Sequence, residues 1–316
     1  MPDYGYFLSS EELSPSAMVD SALYAETVGV DSLFISDHFH PWLESQGESP
    51  FVWGVLGAIA VSTGQRLMTG VTCPIIRIHP AILAQATATT QLLAEGRFRF
   101  GVGSGEHLNE HILGTRWPPA ETRLEMLEEA VEVVRALWQG GYVTRHGRHF
   151  TVENARIFSL PDSSPPILVS GFGTESTDLA ARIGDGYVNT SPDAELVARY
   201  RRNGGKGPAV AAVKICWADD GATARKLAHD RWKSDGLPGQ LNQELATPSQ
   251  FEQATQLVTE DEIAKSISCG PDPEVHAATI RAYAEAGFDE IFISQVGDDQ
   301  RGFLDFFSKD LLRLLP

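Results

Sequence analysis

A carboxylate, two imidazoles and an indole fall within seven residues in Ser36-Asp37-His38-Phe39-His40-Pro41-Trp42. An aspartate beside a histidine can fix the ring's tautomer and raise its proton affinity, which suits general acid–base work. The same pair can also be a plain polar strand end that caps the next segment. Position favours the chemical reading. The block follows the apolar run Ser32–Ile35, and polar residues at the C-terminal end of a barrel strand face that fold's active site. Trp42 can pack on a planar ring or simply fill the loop.

Two glycine-rich loops follow other apolar runs. Gly101-Val102-Gly103-Ser104-Gly105-Glu106 is not a strict dinucleotide fingerprint, because Glu106 stands where the last glycine is required. It still lets backbone approach a ligand closely and projects Glu106 outward, with Asn109 and Glu110 one helical turn on. Ser170-Gly171-Phe172-Gly173-Thr174 combines small residues with free N–H groups at a helix start, an anion cradle or an ordinary strand-to-helix turn. Cys73 precedes a proline and reads as an inert pocket wall. Lys265 and Arg301 are isolated cations, and ordinary surface placement is the simpler reading of each.

These residues need a frame that brings distant loops together. Apolar runs at Tyr4–Leu8, Ser32–Ile35, Arg66–Val71, Phe98–Val102, Ile167–Ser170, Gly186–Asn189, Val210–Trp217 and Glu290–Ser294 alternate with helical stretches. The clearest helices cover Pro15–Val28, Pro80–Leu93, Thr122–Trp138, Pro273–Ala286 and Phe303–Leu314. Eight such strands predict a (β/α)8 barrel as one domain over 1–316, rather than an open sheet. Insertions are expected near 142–165, as a hairpin turning at Gly147, and near 235–258. The polar residues after each strand should then converge: Ser9–Glu11, Asp37–His40, Thr72-Cys73, Ser104–Glu106, Ser170–Thr174, Thr190-Ser191 and Gln295.

Bulk composition narrows the functions. The formal charge of −17 argues against nucleic acid as a partner and against long-range attraction of anions, so any phosphate must be held by local backbone N–H groups. No apolar run is long enough to span a membrane, and the N-terminus does not read as a signal peptide. Three dispersed cysteines and no HExxH point to a reduced, cytoplasmic protein without a structural metal.

Taken together, the blocks GYFLSSEE (5–12), SDHFHPW (36–42), PAILAQATAT (80–89), GVGSGEHLNE (101–110), AARIGDGY (180–187) and DQRGFLDFF (299–307) carry a resemblance. The chain resembles the F420-dependent glucose-6-phosphate dehydrogenase family of the luciferase-like flavin and deazaflavin enzymes, nearly end to end. That resemblance implies coenzyme F420 as cofactor, a small-molecule substrate and a homodimer. It implies that His38 is the catalytic imidazole, that Trp42 lies beside the deazaflavin, and that Glu11 and Glu106 are the two acids of the pocket. Asp37, Ser104, Gly105 and Asn109 match cofactor positions. Gly70-Val71 matches a cis peptide behind the ring. Ser170, Gly171, Phe172 and Gly173 occupy the phosphate loop, although Phe172 stands where the family usually has glycine. Thr190 and Lys265 fall on the substrate side.

The implied reaction moves hydride between the cofactor and an alcohol or carbonyl carbon, with His38 as base and Asp37 orienting or charge-balancing it. Glu106 would protonate the reduced ring or stabilise its polar edge. The departures concern the sugar phosphate. A lysine follows the Thr-Ser pair in the family, whereas Pro192-Asp193 follow Thr190-Ser191 here. Near the last strand no residue clearly matches the family's second cation, Asp289 lying in that area, and Lys265 alone matches a third. Glucose-6-phosphate is therefore not the expected substrate. Two rival readings stay open: FMN in place of F420, and a barrel that binds such a chromophore without turnover. A pure binder would have no need of His38 and Glu106.

Overall fold

A computed structural model describes residues 1–316. Eight parallel strands form the frame: β1 (Asp3–Leu8), β2 (Ser32–Ile35), β3 (Arg66–Thr69), β4 (Phe98–Val102), β5 (Ile167–Ser170), β6 (Gly186–Asn189), β7 (Ala209–Cys216) and β8 (Glu290–Gln295). Each pairs with its successor, and β1 pairs with β8, so the sheet closes into a (β/α)8 barrel. A two-residue strand, Ser268–Cys269, adds to β7 outside the ring. No helix is long and apolar enough to cross a membrane.

Alternation along each strand divides the side chains between two cores. Phe34, Met68, Leu168, Val188, Val210, Ala212 and Phe292 point to the axis and fill it. Leu33, Ile35, Leu67, Ile167, Val169, Ala211, Val213 and Ile291 point outward and join the larger core beneath the helices. At the lower end Arg99 meets Glu290 bidentately, at 2.7 and 2.6 Å. The barrel is thus a packed body, and its upper, C-terminal rim is where loops gather.

Local chemistry sets the helix starts. Ser14 caps Pro15–Thr27 by accepting from the Ala17 amide, and Asp220, Thr247 and Thr259 do likewise for later helices. The hairpin pairs Val143–His146 with Thr151–Ala155. Its turn is pinned to the helix Ala120–Trp138, because the Glu129 carboxylate accepts from the amides of His149 and Phe150.

Four points differ from the sequence-based expectation. β3 stops at Thr69 rather than Val71, and the peptide that follows, Gly70-Val71, is cis. Val52–Ser62 is a helix that carries apolar residues on most of its faces, so it shows little of the periodicity that reveals a surface helix. Within 235–258, Leu241–Glu244 and Pro248–Ala254 are helical. The end of the chain is α-helical only over Gln300–Phe306, then tightens through π and 3-10 turns to Leu314.

Candidate active site

Glu11 reaches the upper rim just past the end of β1, where two hydroxyls hold one side of its carboxylate. Ser9 Oγ donates to Oε2 at 2.8 Å and Ser36 Oγ at 2.7 Å. Ser36 is itself fixed by the Ser10 amide at 2.8 Å. The free oxygen, Oε1, lies 3.3 Å from His38 Nε2, and Glu106 Oε2 approaches the same nitrogen at 3.5 Å. His38 therefore sits between two carboxylates contributed by the loops after β1 and β4.

The far side of the ring is equally determined. Asn109 Oδ1 accepts from the amides of Phe39 (2.8 Å) and His40 (3.2 Å), which fixes which way its amide points. Asn109 Nδ2 then faces Glu106 (3.1 Å) and His38 Nδ1 (3.2 Å). The His40 carbonyl lies 3.1 Å from Nδ1 as well. Nδ1 thus has an acceptor for its protonated form and a donor for its bare form. With the proton on Nδ1, Nε2 presents its lone pair between Glu11 and Glu106, where it can accept a proton. Enclosure by the loops raises the Glu106 carboxyl, while His38 pulls it back and Glu11 adds to the rise.

Trp42 flanks the ring, its centroid 5.2 Å from His38, and is braced edge-on by Phe251 at 5.2 Å. The opposite wall is built without bulk. Gly103 lies so close to its neighbours that a Cβ there would stand 2.7 Å from Val71 Cγ2 and 2.8 Å from Ser170 Oγ. A Cβ at Gly70 would meet the Phe34 ring at 2.2 Å. The wall continues to Cys73, whose thiol is pushed well up by burial, so it stays protonated and poorly nucleophilic.

Asp37 does not serve His38. Its carboxylate accepts from Thr72 Oγ1 at 2.7 Å and pairs with Arg77 Nη2 at 2.8 Å, with a side chain wholly buried. Arg77 is also 3.8 Å from Glu110, whose other oxygen accepts from the Arg77 amide at 2.7 Å. Burial pushes Glu110 up to about 7 against those donors. The sequence reading had no place for Arg77: a buried cation looks like any exposed arginine until its partners are known.

The remaining candidates divide. Gly171 is held through its carbonyl by Tyr187 and Asn189 (2.7 and 3.0 Å), and Gly173 begins the helix Thr174–Ile183. Phe172 is half exposed, and Ser104 lies at the rim before Gly105, which adopts the left-handed conformation at φ 81°. Thr190 receives the Tyr283 hydroxyl on its carbonyl at 2.8 Å. Asp193 caps the helix Ala194–Arg202. Lys265 is exposed in the last turn of Glu260–Ser266, and Arg301 stacks over Tyr24 instead of facing the rim. Gln295 is occupied with the backbone of Trp217. A cavity of about 610 Å³ opens at the other end of the barrel, but its arginines are already paired, Arg99 with Glu290 and Arg135 with Asp185.

Glu12, next to Glu11, turns away from the mouth and accepts from Trp232 Nε1 at 2.9 Å and the Gly297 amide at 3.3 Å. Burial pushes it up to about 7 from an ordinary 4.5. Its contribution to stability is therefore full below about 4.5 and is lost as pH rises through about 7, an effect on the order of 3 kcal/mol. The unfolding midpoint is expected to fall between about pH 5 and 8, and Glu12→Gln should flatten that slope. A variant whose melting temperature falls as steeply as the parent's would assign the dependence elsewhere.

The family profile described as luciferase-like monooxygenase matches residues 3–290. A protein of Microbacterium testaceum named F420-dependent glucose-6-phosphate dehydrogenase is 31% identical over 323 residues, covering 98% of this chain and 96% of that protein. Its namesake in Beutenbergia cavernae is 32% identical over 322 residues, with the same coverage. Among solved structures, an F420-dependent secondary alcohol dehydrogenase in complex with an F420–acetone adduct superposes with a TM-score of 0.92 at 28% identity, over the whole of both chains. The coenzyme F420-dependent tetrahydromethanopterin reductase of Methanopyrus kandleri shares the fold, at a TM-score of 0.76 and 18% identity, over 100% of this chain and 99% of that one.

Proposed function

The chain belongs to the luciferase-like monooxygenase family, among relatives named F420-dependent glucose-6-phosphate dehydrogenase, and we propose that it is an oxidoreductase using coenzyme F420 on a small, uncharged alcohol or carbonyl compound. The observation that carries this reading is His38 set between Glu11 and Glu106 beside Trp42. A protein that only stored a chromophore would need no such proton-transfer set.

The residues present suit the cofactor. The amides of Thr174, Glu175 and Ser176 open a helix and have no acceptor within it, so they can hold an anionic group beside Ser170, Gly171, Phe172 and Gly173. Gly70 and Gly103 let this wall pack closely, Gly70 against Phe34 and Gly103 against Val71 and Ser170, and a planar ring would lie against it, with Ser104, Gly105 and Asn109 at its margin. When bound, coenzyme F420 supplies a carbon centre that accepts or returns hydride.

The protein's own part is proton handling and placement. His38 Nε2 takes the hydroxyl proton while the alcohol carbon is oxidised, and returns it in the reverse direction. Glu11, clamped by Ser9 and Ser36, holds the ring toward the substrate and stabilises its positive charge. Glu106, raised by enclosure, is set to carry a proton at its end of the site. Trp42 closes the side of the pocket and excludes water.

A sugar phosphate fits poorly. Asp193 puts a carboxylate where a cation would be needed, and Lys265 is a surface residue. An uncharged ketone is the ligand portion named for the secondary alcohol dehydrogenase that superposes over its full length. Separate titrations with F420 and with FMN, followed by ring fluorescence, test the reading. Saturable F420 binding is expected, and tight FMN binding with no F420 response would sink it.

A further inference from the structure

Strand β7 reads Ala-Val-Ala-Ala-Val-Lys-Ile-Cys, and one lysine in so apolar a strand needs a reason. Val210 and Ala212 face the axis, whereas Ala209, Ala211, Val213 and Ile215 face the helices. Lys214 is the next inward position, in register with Ser294 of β8. It rises from the apolar floor into the mouth. There its charge reaches Glu106 and counts among those that lower the carboxyl, against the enclosure that raises it.

Lys214 is not free. Its ammonium lies 2.7 and 2.5 Å from the two carboxylate oxygens of Asp235, and 3.8 Å above the Trp232 ring. Trp232 is locked in turn, because its indole N–H is committed to Glu12. Lys214 and Asp235 are 29% and 25% exposed, so the pair lines an opening rather than filling a core. Tyr283, whose hydroxyl meets Thr190, is pushed up by burial and further by Asp235, which places that carboxylate on the β6 side of the mouth.

We propose that Asp235 determines specificity: by holding Lys214 against Trp232 it cancels a cation aimed into the mouth, so that the pocket takes uncharged substrates and turns away carboxylates and phosphates. Substrate selection of this kind rests on the oxidoreductase reading above; the charge filter is a property of the chain alone. With Lys214 and Asp235 cancelling one another, an entering anion meets Glu11 and Glu106 without a free cation to offset them. Removing the Asp235 charge leaves an ammonium held on an aromatic face, a ready partner for an anion.

Asp235→Asn keeps the shape and removes the charge. The full chain and the variant are titrated with inorganic phosphate by calorimetry without cofactor, and with F420 their turnover is compared on 2-propanol and lactate. Phosphate should bind D235N at least about tenfold more tightly than the parent, and the lactate-to-2-propanol ratio of kcat/KM should rise by a similar factor. The double variant K214M/D235N should return both to the parent level. Anion binding elsewhere, such as at the helix start at Thr174, contributes equally to all three. Equal phosphate affinity in parent and D235N, both folded by circular dichroism, overturns the filter, as does a gain that persists in the double variant. A parent that turns over neither alcohol counts against the oxidoreductase reading, while the calorimetry still decides the filter.

Discussion

His38→Ala is expected to lower turnover by about two to four orders of magnitude while leaving F420 affinity nearly unchanged. The split between the two readouts matters. The ring touches Glu11, Glu106 and Trp42, and its loss opens space in the mouth without removing the anion-accepting helix start or the glycine wall. A merely structural histidine would lower affinity and melting temperature together. Turnover within about threefold of the parent would refute its role as base.

The second large effect concerns stability. Arg77 lies between Asp37 and Glu110, with both carboxylate side chains wholly buried and its own only 6% exposed. Arg77→Met should cost about 3–5 kcal/mol, because it leaves buried carboxylates with no opposite charge. Asp37 would keep only the Thr72 hydroxyl. Arg77→Lys should recover part of the loss, since an ammonium restores charge without the fork that reaches the Asp37 side chain. Denaturant unfolding measures both, and a methionine variant within about 1 kcal/mol of the parent would show that protonation of Glu110 absorbs the change.

The frame was readable because its signals are local. Strand ends agree with the apolar runs to within a residue or two, since buried parallel strands are short, apolar and bounded by turns. Gly70-Val71 is cis, as the resemblance implied. What adjacency misled was the partner of His38. Asp37 and His38 are consecutive at a strand end, and consecutive side chains there point to opposite sides. Ser36 and His38 share a side, and both meet Glu11. Period two, carried three residues past the strand, would have corrected the pairing. It would also have singled out Lys214, the inward member after Val210 and Ala212. Asp235 and Arg77 had no such signal, because their partners are fixed by segments that fold back from elsewhere in the chain.

The plug of Arg99 and Glu290, with the aromatic and aliphatic floor above it, closes the barrel axis below the candidate site. If two ligands stack on that closed floor, the deeper one enters first and leaves last, an order that the chemistry alone would not require.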